Sequence, residues 1–130
     1  MLCDGARAPS CGCDGVTYWN DCLRRQGRVT SATPGECTMP AGCGGKDHRV
    51  CPVEGAACAR VYPRDRCSPG DDRGTCWVLP PTCTGDLGPL LQPCFPAPGT
   101  PPGPPPCVDA CTAIRSQKPH HALSPSATCP

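Results

Sequence analysis

Residues 3–22 read C-D-G-A-R-A-P-S-C-G-C-D-G-V-T-Y-W-N-D-C, and L-R-R-Q-G-R-V-T-S-A-T-P-G-E-C continues them to Cys37. Asp14-Gly15 supplies the positive φ of a two-residue hairpin turn. Val16, Thr17 and Tyr18 follow with strand character. Asn20 is a good N-cap for a short helix over 21–26, and Gly27 stands where a left-handed C-cap would. Val29 and Thr30 can return as a further strand. A hairpin with one short helix is too small to hold its shape without cross-links.

Composition supplies the cross-links. Of 130 residues, 15 are Cys, 20 Pro and 15 Gly, against two Trp, two Tyr and one Phe. Cys above roughly 8–10% in a short chain marks a disulfide scaffold. Pro and Gly at this density argue against a helical bundle, a doubly wound α/β fold and any large sheet. The formal charge of +1, with no basic stripe, argues against nucleic-acid binding. No apolar run approaches the ~18 residues of a membrane span. Disulfides imply an oxidising compartment and hence secretion. Met1-Leu2-Cys3 carries no signal peptide, which is expected upstream.

Metal binding is the competing use of cysteine. Structural zinc sites carry C-x2-4-C knuckles, and only Cys107-x3-Cys111 has that spacing. His120 and His121 lie in K-P-H-H-A, which reads as a solvated loop rather than a ligand pair. No metal and no cofactor is expected. Nor is an enzyme: no nucleophile elbow or zinc-protease motif occurs, and nothing near Cys13 marks it as a low-pKa thiol.

The spacing Cys3-x7-Cys11-x10-Cys22, with D-G-V-T-Y-x-N in the second gap and G-E-C at Cys37, resembles the Kazal family of serine-protease inhibitors. The extra Cys13 within C-G-C-D-G resembles a bacterial form of that module. Two of the family's six half-cystines are absent, the first because the chain begins too late for it. The resemblance implies Cys3–Cys22 and Cys11–Cys37, with Cys13 unpaired for want of a partner upstream.

The remainder is similar to a second unit, with ten Cys between 43 and 129 set out as a Cys-rich stretch followed by a Kazal-like order. The resemblance implies Cys83–Cys111, Cys94–Cys129 and Cys76–Cys107. It leaves Cys43, Cys51, Cys58 and Cys67 to form two bonds in one of three ways. The expected class is small and disulfide-rich. It comprises a truncated Kazal-like module at 1–38, an irregular Cys-rich module at 43–83 and a degenerate Kazal-like module at 83–130. In the last, a Pro-rich insertion at 95–106 reads as an extended loop that replaces the hairpin turn and the T-Y strand. Residues 40–42 read as a linker.

The family implies a function: a rigid loop offered to a serine endopeptidase as if it were substrate. Its loop corresponds to residues 4–10, with Asp4, Gly5, Ala6 and Arg7 at its centre and Gly5–Ala6 as the bond attacked. By the same resemblance Asn20 bonds the loop's backbone from behind and Tyr18 packs beneath it. A glycine at the specificity position forfeits the roughly 1.5–3 kcal/mol that a large side chain would bury there. The expected partner is therefore an elastase- or subtilisin-like endopeptidase, bound by a secreted monomer. In the second unit the corresponding residue is again a glycine, Gly85. The alternative is a non-inhibitory extracellular Kazal-like module with a binding or structural role.

Overall fold

The computed structural model describes residues 3–62, 67, 73–83, 88–95, 99, 102–103 and 105–123. The expected Gly85 loop, half of the Pro-rich insertion and Cys129 lie outside them. Within residues 3–37 the chain forms β1 (Ser10–Gly12), β2 (Thr17–Tyr18), α1 (Asp21–Gln26) and β3 (Ser31–Pro34). Antiparallel pairing places β1 between β3 and β2.

The β1–β2 turn is wider than expected. Gly12 N donates to Val16 O at 3.0 Å and Gly15 N to Gly12 O at 3.0 Å. Only Gly15 takes positive φ, +80°, so three residues, 13–15, make the loop and only one needs glycine's freedom. Asn20 caps α1 as expected, its side chain accepting from Leu23 N at 3.0 Å. Gly27 does not take the left-handed position: its φ is −80°, and Arg28 turns the chain at φ +59°. The returning strand correspondingly begins at Ser31 rather than Val29.

The stretch expected to be irregular contributes β4 (Gly42–Gly44), β5 (Ala57–Ala59), β6 (Val61–Tyr62) and β7 (Arg73–Val78). β7 is the axis of the molecule. Thr75 pairs with both Gly42 and Ala59, and Trp77 with both Thr17 and Ala57. β2 and β4 therefore share one edge of β7 while β5 takes the other. The resulting six-stranded sheet corrects the expectation that Pro and Gly exclude a large sheet: many short strands, none above six residues, avoid their cost. The expected linker is built into this join. Ala41 N donates to Gly15 O at 2.8 Å, and Ala41 O accepts from Cys76 N at 3.1 Å.

The last segment forms β8 (Leu90–Pro93), β9 (Val108–Asp109), α2 (Ala110–Ser116) and β10 (His120–Ala122). Its order repeats that of residues 3–37. A third strand lies beside the first, the first beside the second, and a helix follows the second, here capped by Asp109 two residues before Cys111. The strand expected to be lost to the insertion is thus present as β9. β6 pairs in parallel with β10 and completes a four-stranded sheet. His120 and His121, expected in a solvated loop, are instead buried on β10. Their strand is the inner one, between β6 and β8, and pairing removes it from water.

Six disulfides are described. Cys3–Cys22, Cys11–Cys37 and Cys83–Cys111 coincide with the implied pairing. Cys76–Cys107 and Cys94–Cys129 do not form, because Cys76 bonds Cys51 and Cys94 bonds Cys67. Of the four cysteines left open, Cys43 and Cys58 bond each other, whereas Cys51 and Cys67 bond outside the set, to Cys76 and Cys94. The reason is tertiary. Cys76 lies wholly buried on the central strand β7, whereas Cys107 precedes the edge strand β9 of the other sheet. Cys107 is itself disulfide-bonded, but not to Cys76. Cys13 is free and exposed.

The core is small and aromatic where it can be: Val16, Tyr18, Trp19, Leu23 and Trp77 continue into Ala110, Ala113 and Ile114 of α2.

Candidate recognition loop

Residues 3–9 run outside any strand, tied at one end to α1 by Cys3–Cys22 and at the other to the Cys11–Cys37 bridge. Exposure alternates along them: Asp4, Ala6 and Ala8 are exposed, while Gly5, Arg7 and Pro9 are partly covered. A period of two is that of an extended chain with one face against the protein.

Two neighbouring side chains hold the loop from behind. Asn20 Nδ2 donates to Asp4 O at 3.0 Å and to Ala6 O at 3.1 Å. Trp19 Nε1 donates to the intervening Gly5 O at 2.9 Å, and Trp19 O accepts from Ala8 N at 2.9 Å. Three successive carbonyls are thus engaged. Asn20 does so while its Oδ1 caps α1, so a single amide uses its acceptor for the helix and its donors for the loop. Asp4 turns its own carboxylate onto Ala6 N at 3.2 Å.

Arg7 is held separately. Its guanidinium carbon lies 5.7 Å from the Trp19 ring centroid and 5.9 Å from that of Trp77, within cation–π range of both. The two rings are tilted at 59° with centroids 5.9 Å apart. Glu36 Oε1 accepts from Arg7 Nη2 at 2.9 Å, whereas the buried Arg7 Nε has no acceptor among the described residues. Arg7, Glu36 and Trp77 also line a cleft of about 530 Å³ with Arg73, Leu91 and Ile114.

At the far end, Arg24 of α1 donates from Nε to Ser10 Oγ at 3.1 Å and from Nη1 to Val29 O at 2.7 Å. It also pairs with Asp21 at 3.1 Å. Hydrogen bonds from Ser10 and Arg24 hold the Asp21 carboxyl below its ordinary pKa.

The expected site residues are therefore divided by the fold. Asn20 and residues 4–7 come together. Tyr18 packs elsewhere: its hydroxyl donates to Asp14 Oδ2 at 2.8 Å, at the hairpin turn. Burial, and then that hydrogen bond, keep the Tyr18 hydroxyl protonated well above its usual range. Trp19 and Trp77, which no motif singled out, supply the missing contacts. The signal was available in composition, since these are the only two Trp in the chain.

Two sulfur clusters approach ligand geometry, Cys43 with Cys51 and Cys76, and Cys83 with Cys111 and Asp109. Every sulfur in them is committed to a disulfide, and a disulfide sulfur is not the thiolate that metals take. No family model matches this chain, and neither does any curated protein or solved structure.

Proposed function

We propose that this chain is a Kazal-like extracellular module with a binding or structural role, neither an enzyme nor a substrate-mimicking inhibitor at Gly5–Ala6. One observation carries this reading, the hydrogen bond from Trp19 Nε1 to Gly5 O. A protease attacks a carbonyl whose oxygen enters an oxyanion hole of preorganised donors. Here that oxygen faces a fully buried indole, and Gly5 shares the covered face of the loop with Arg7. Six disulfides fit an oxidising compartment, and no helix among the described residues is long and apolar enough to cross a membrane.

Inhibition of an elastase- or subtilisin-like endopeptidase through residues 4–10 is the second reading. The paired Asn20 bonds and the flanking disulfides favour it, because such bracing lowers the ordering cost of binding. Titrating subtilisin, elastase and trypsin with the fully oxidised protein separates the two. The proposal expects undiminished protease activity at equimolar protein. Stoichiometric inhibition with cleavage confined to Gly5–Ala6 would establish the second reading in its place.

A further inference from the structure

The loop's long side chain is withheld by the other half of the molecule. Arg7 is the one residue of 4–10 whose side chain a protein partner could read by charge and length. It does not project. Trp19, from its own unit, and Trp77, from the central strand β7, both lie within cation–π range of the guanidinium. Gly88 stands against the aliphatic part: a Cβ built there would sit 2.6 Å from Arg7 Cδ and 3.1 Å from the Trp19 ring. Glu36 holds the outer nitrogen.

We propose that Trp77 and Gly88 form an intramolecular latch on Arg7, an autoinhibitory contact that hides the Arg7–Ala8 bond from serine endopeptidases selective for basic residues. The latch is incomplete in a way that suits release. Arg7 Nε is buried with no acceptor among the described residues, and a guanidinium gains most from a planar carboxylate that takes two of its N–H groups at once. A partner pocket carrying a carboxylate offers that pairing. It is the chemistry by which such endopeptidases read arginine. The inference goes beyond the module reading above and does not use its Gly5 argument.

Limited trypsin digestion of the oxidised, full-length protein tests it, with cleaved bonds mapped by mass spectrometry after reduction. The exposed Arg49–Val50 bond is the internal control. In the wild type, Arg7–Ala8 should be cut at least ~10-fold more slowly than Arg49–Val50. Trp77→Ala should raise the ratio of the two rates about 10-fold. Glu36→Gln, which leaves no cavity, should raise it about threefold. Wild-type cleavage at Arg7–Ala8 as fast as at Arg49–Val50 overturns the latch. So does an unchanged ratio in Trp77→Ala that retains the wild-type fold by amide exchange. If Trp77→Ala unfolds and all bonds are cut together, Glu36→Gln decides, and an unchanged ratio there overturns the proposal. Inhibition of subtilisin through Gly5 would remove the module reading while leaving the latch standing.

Discussion

Asn20 shows how much one side chain can be asked to do. As N-cap it satisfies an orphan helix N–H, worth about 1 kcal/mol. As loop support it satisfies two carbonyls, each worth roughly 0.5–1.5 kcal/mol. The two roles use opposite ends of the amide and can be separated. Asn20→Asp retains the acceptor for Leu23 N but removes both donors and sets a carboxylate against two carbonyl oxygens. The expected outcome is a helix 21–26 with near-native amide protection beside a loop 4–8 that exchanges at least tenfold faster. Equal loss of protection in both would show that cap and loop cannot be uncoupled. Gly74 is constrained in a different manner. A Cβ on it would lie 2.4 Å from Ala59 O and 2.8 Å from Cys58 Sγ, so the bridge from β4 to β5 requires a bare backbone where it crosses β7.

At the scale of elements, β10 carries a pH dependence. His120 is 5% exposed, its Nδ1 is 2.7 Å from Lys118 O, and its backbone N–H bonds Arg60 O at 2.9 Å. Lys118 O can only accept, so Nδ1 bears the proton in the neutral ring and Nε2 is the site left to protonate. Burial lowers the His120 pKa below its usual 6.5. The unfolded chain therefore takes up the proton first as pH falls. Stability from this residue is complete above about pH 6.5 and is lost as pH drops from there through the lower folded value. Denaturant midpoints measured from pH 7.5 to 4 should decline across that window, with amide protection in β6 and β10 declining first. His120→Gln should flatten this part of the profile. A wild-type midpoint independent of pH between 6.5 and 4 would dismiss the assignment.

For the molecule as a whole, covalent and hydrogen-bonded connectivity divide the chain differently. Each described disulfide lies within residues 3–37 or within 43–111. The sheet ignores that boundary: β2 pairs with β7 in parallel, and Trp19 N continues the ladder to Val78 O at 2.9 Å. Residues 3–37 thus borrow part of their core, Trp77 included, from the second unit. Removing the Cys11–Cys37 bridge by the double Cys→Ser substitution should cost about 3–4 kcal/mol on the chain-entropy model. Because the sheet is shared, that loss should appear as faster exchange in β7 as well as in β1 and β3, within one unfolding transition. Two separate transitions, with β7 untouched, would show that the units are stable independently.

Much of the fold was legible from local chemistry. Cysteine density announced a cross-linked class, Asp14-Gly15 a hairpin turn, and Asn20 the start of α1, because turns and caps are decided by residues within reach of one another. The second unit was legible in the count and order of its cysteines, whereas the match of Asp109 to Asn20 as a helix cap emerged only in the structure. What the chain alone left open depends on neighbours distant in sequence. The partners of Cys76 and Cys94 are not those the resemblance implies, because the loop residues Cys51 and Cys67 are brought to them only by the tertiary fold. The burial of His120 follows from β6 and β8 closing on both sides of β10. Direction was likewise hidden in the loop: the family resemblance placed residues 4–7, but only the position of Trp19 and Trp77 turns Gly5 O and Arg7 inward. Local sequence determines conformation where the partners are a few residues away; packing decides it wherever the deciding atom arrives from another strand.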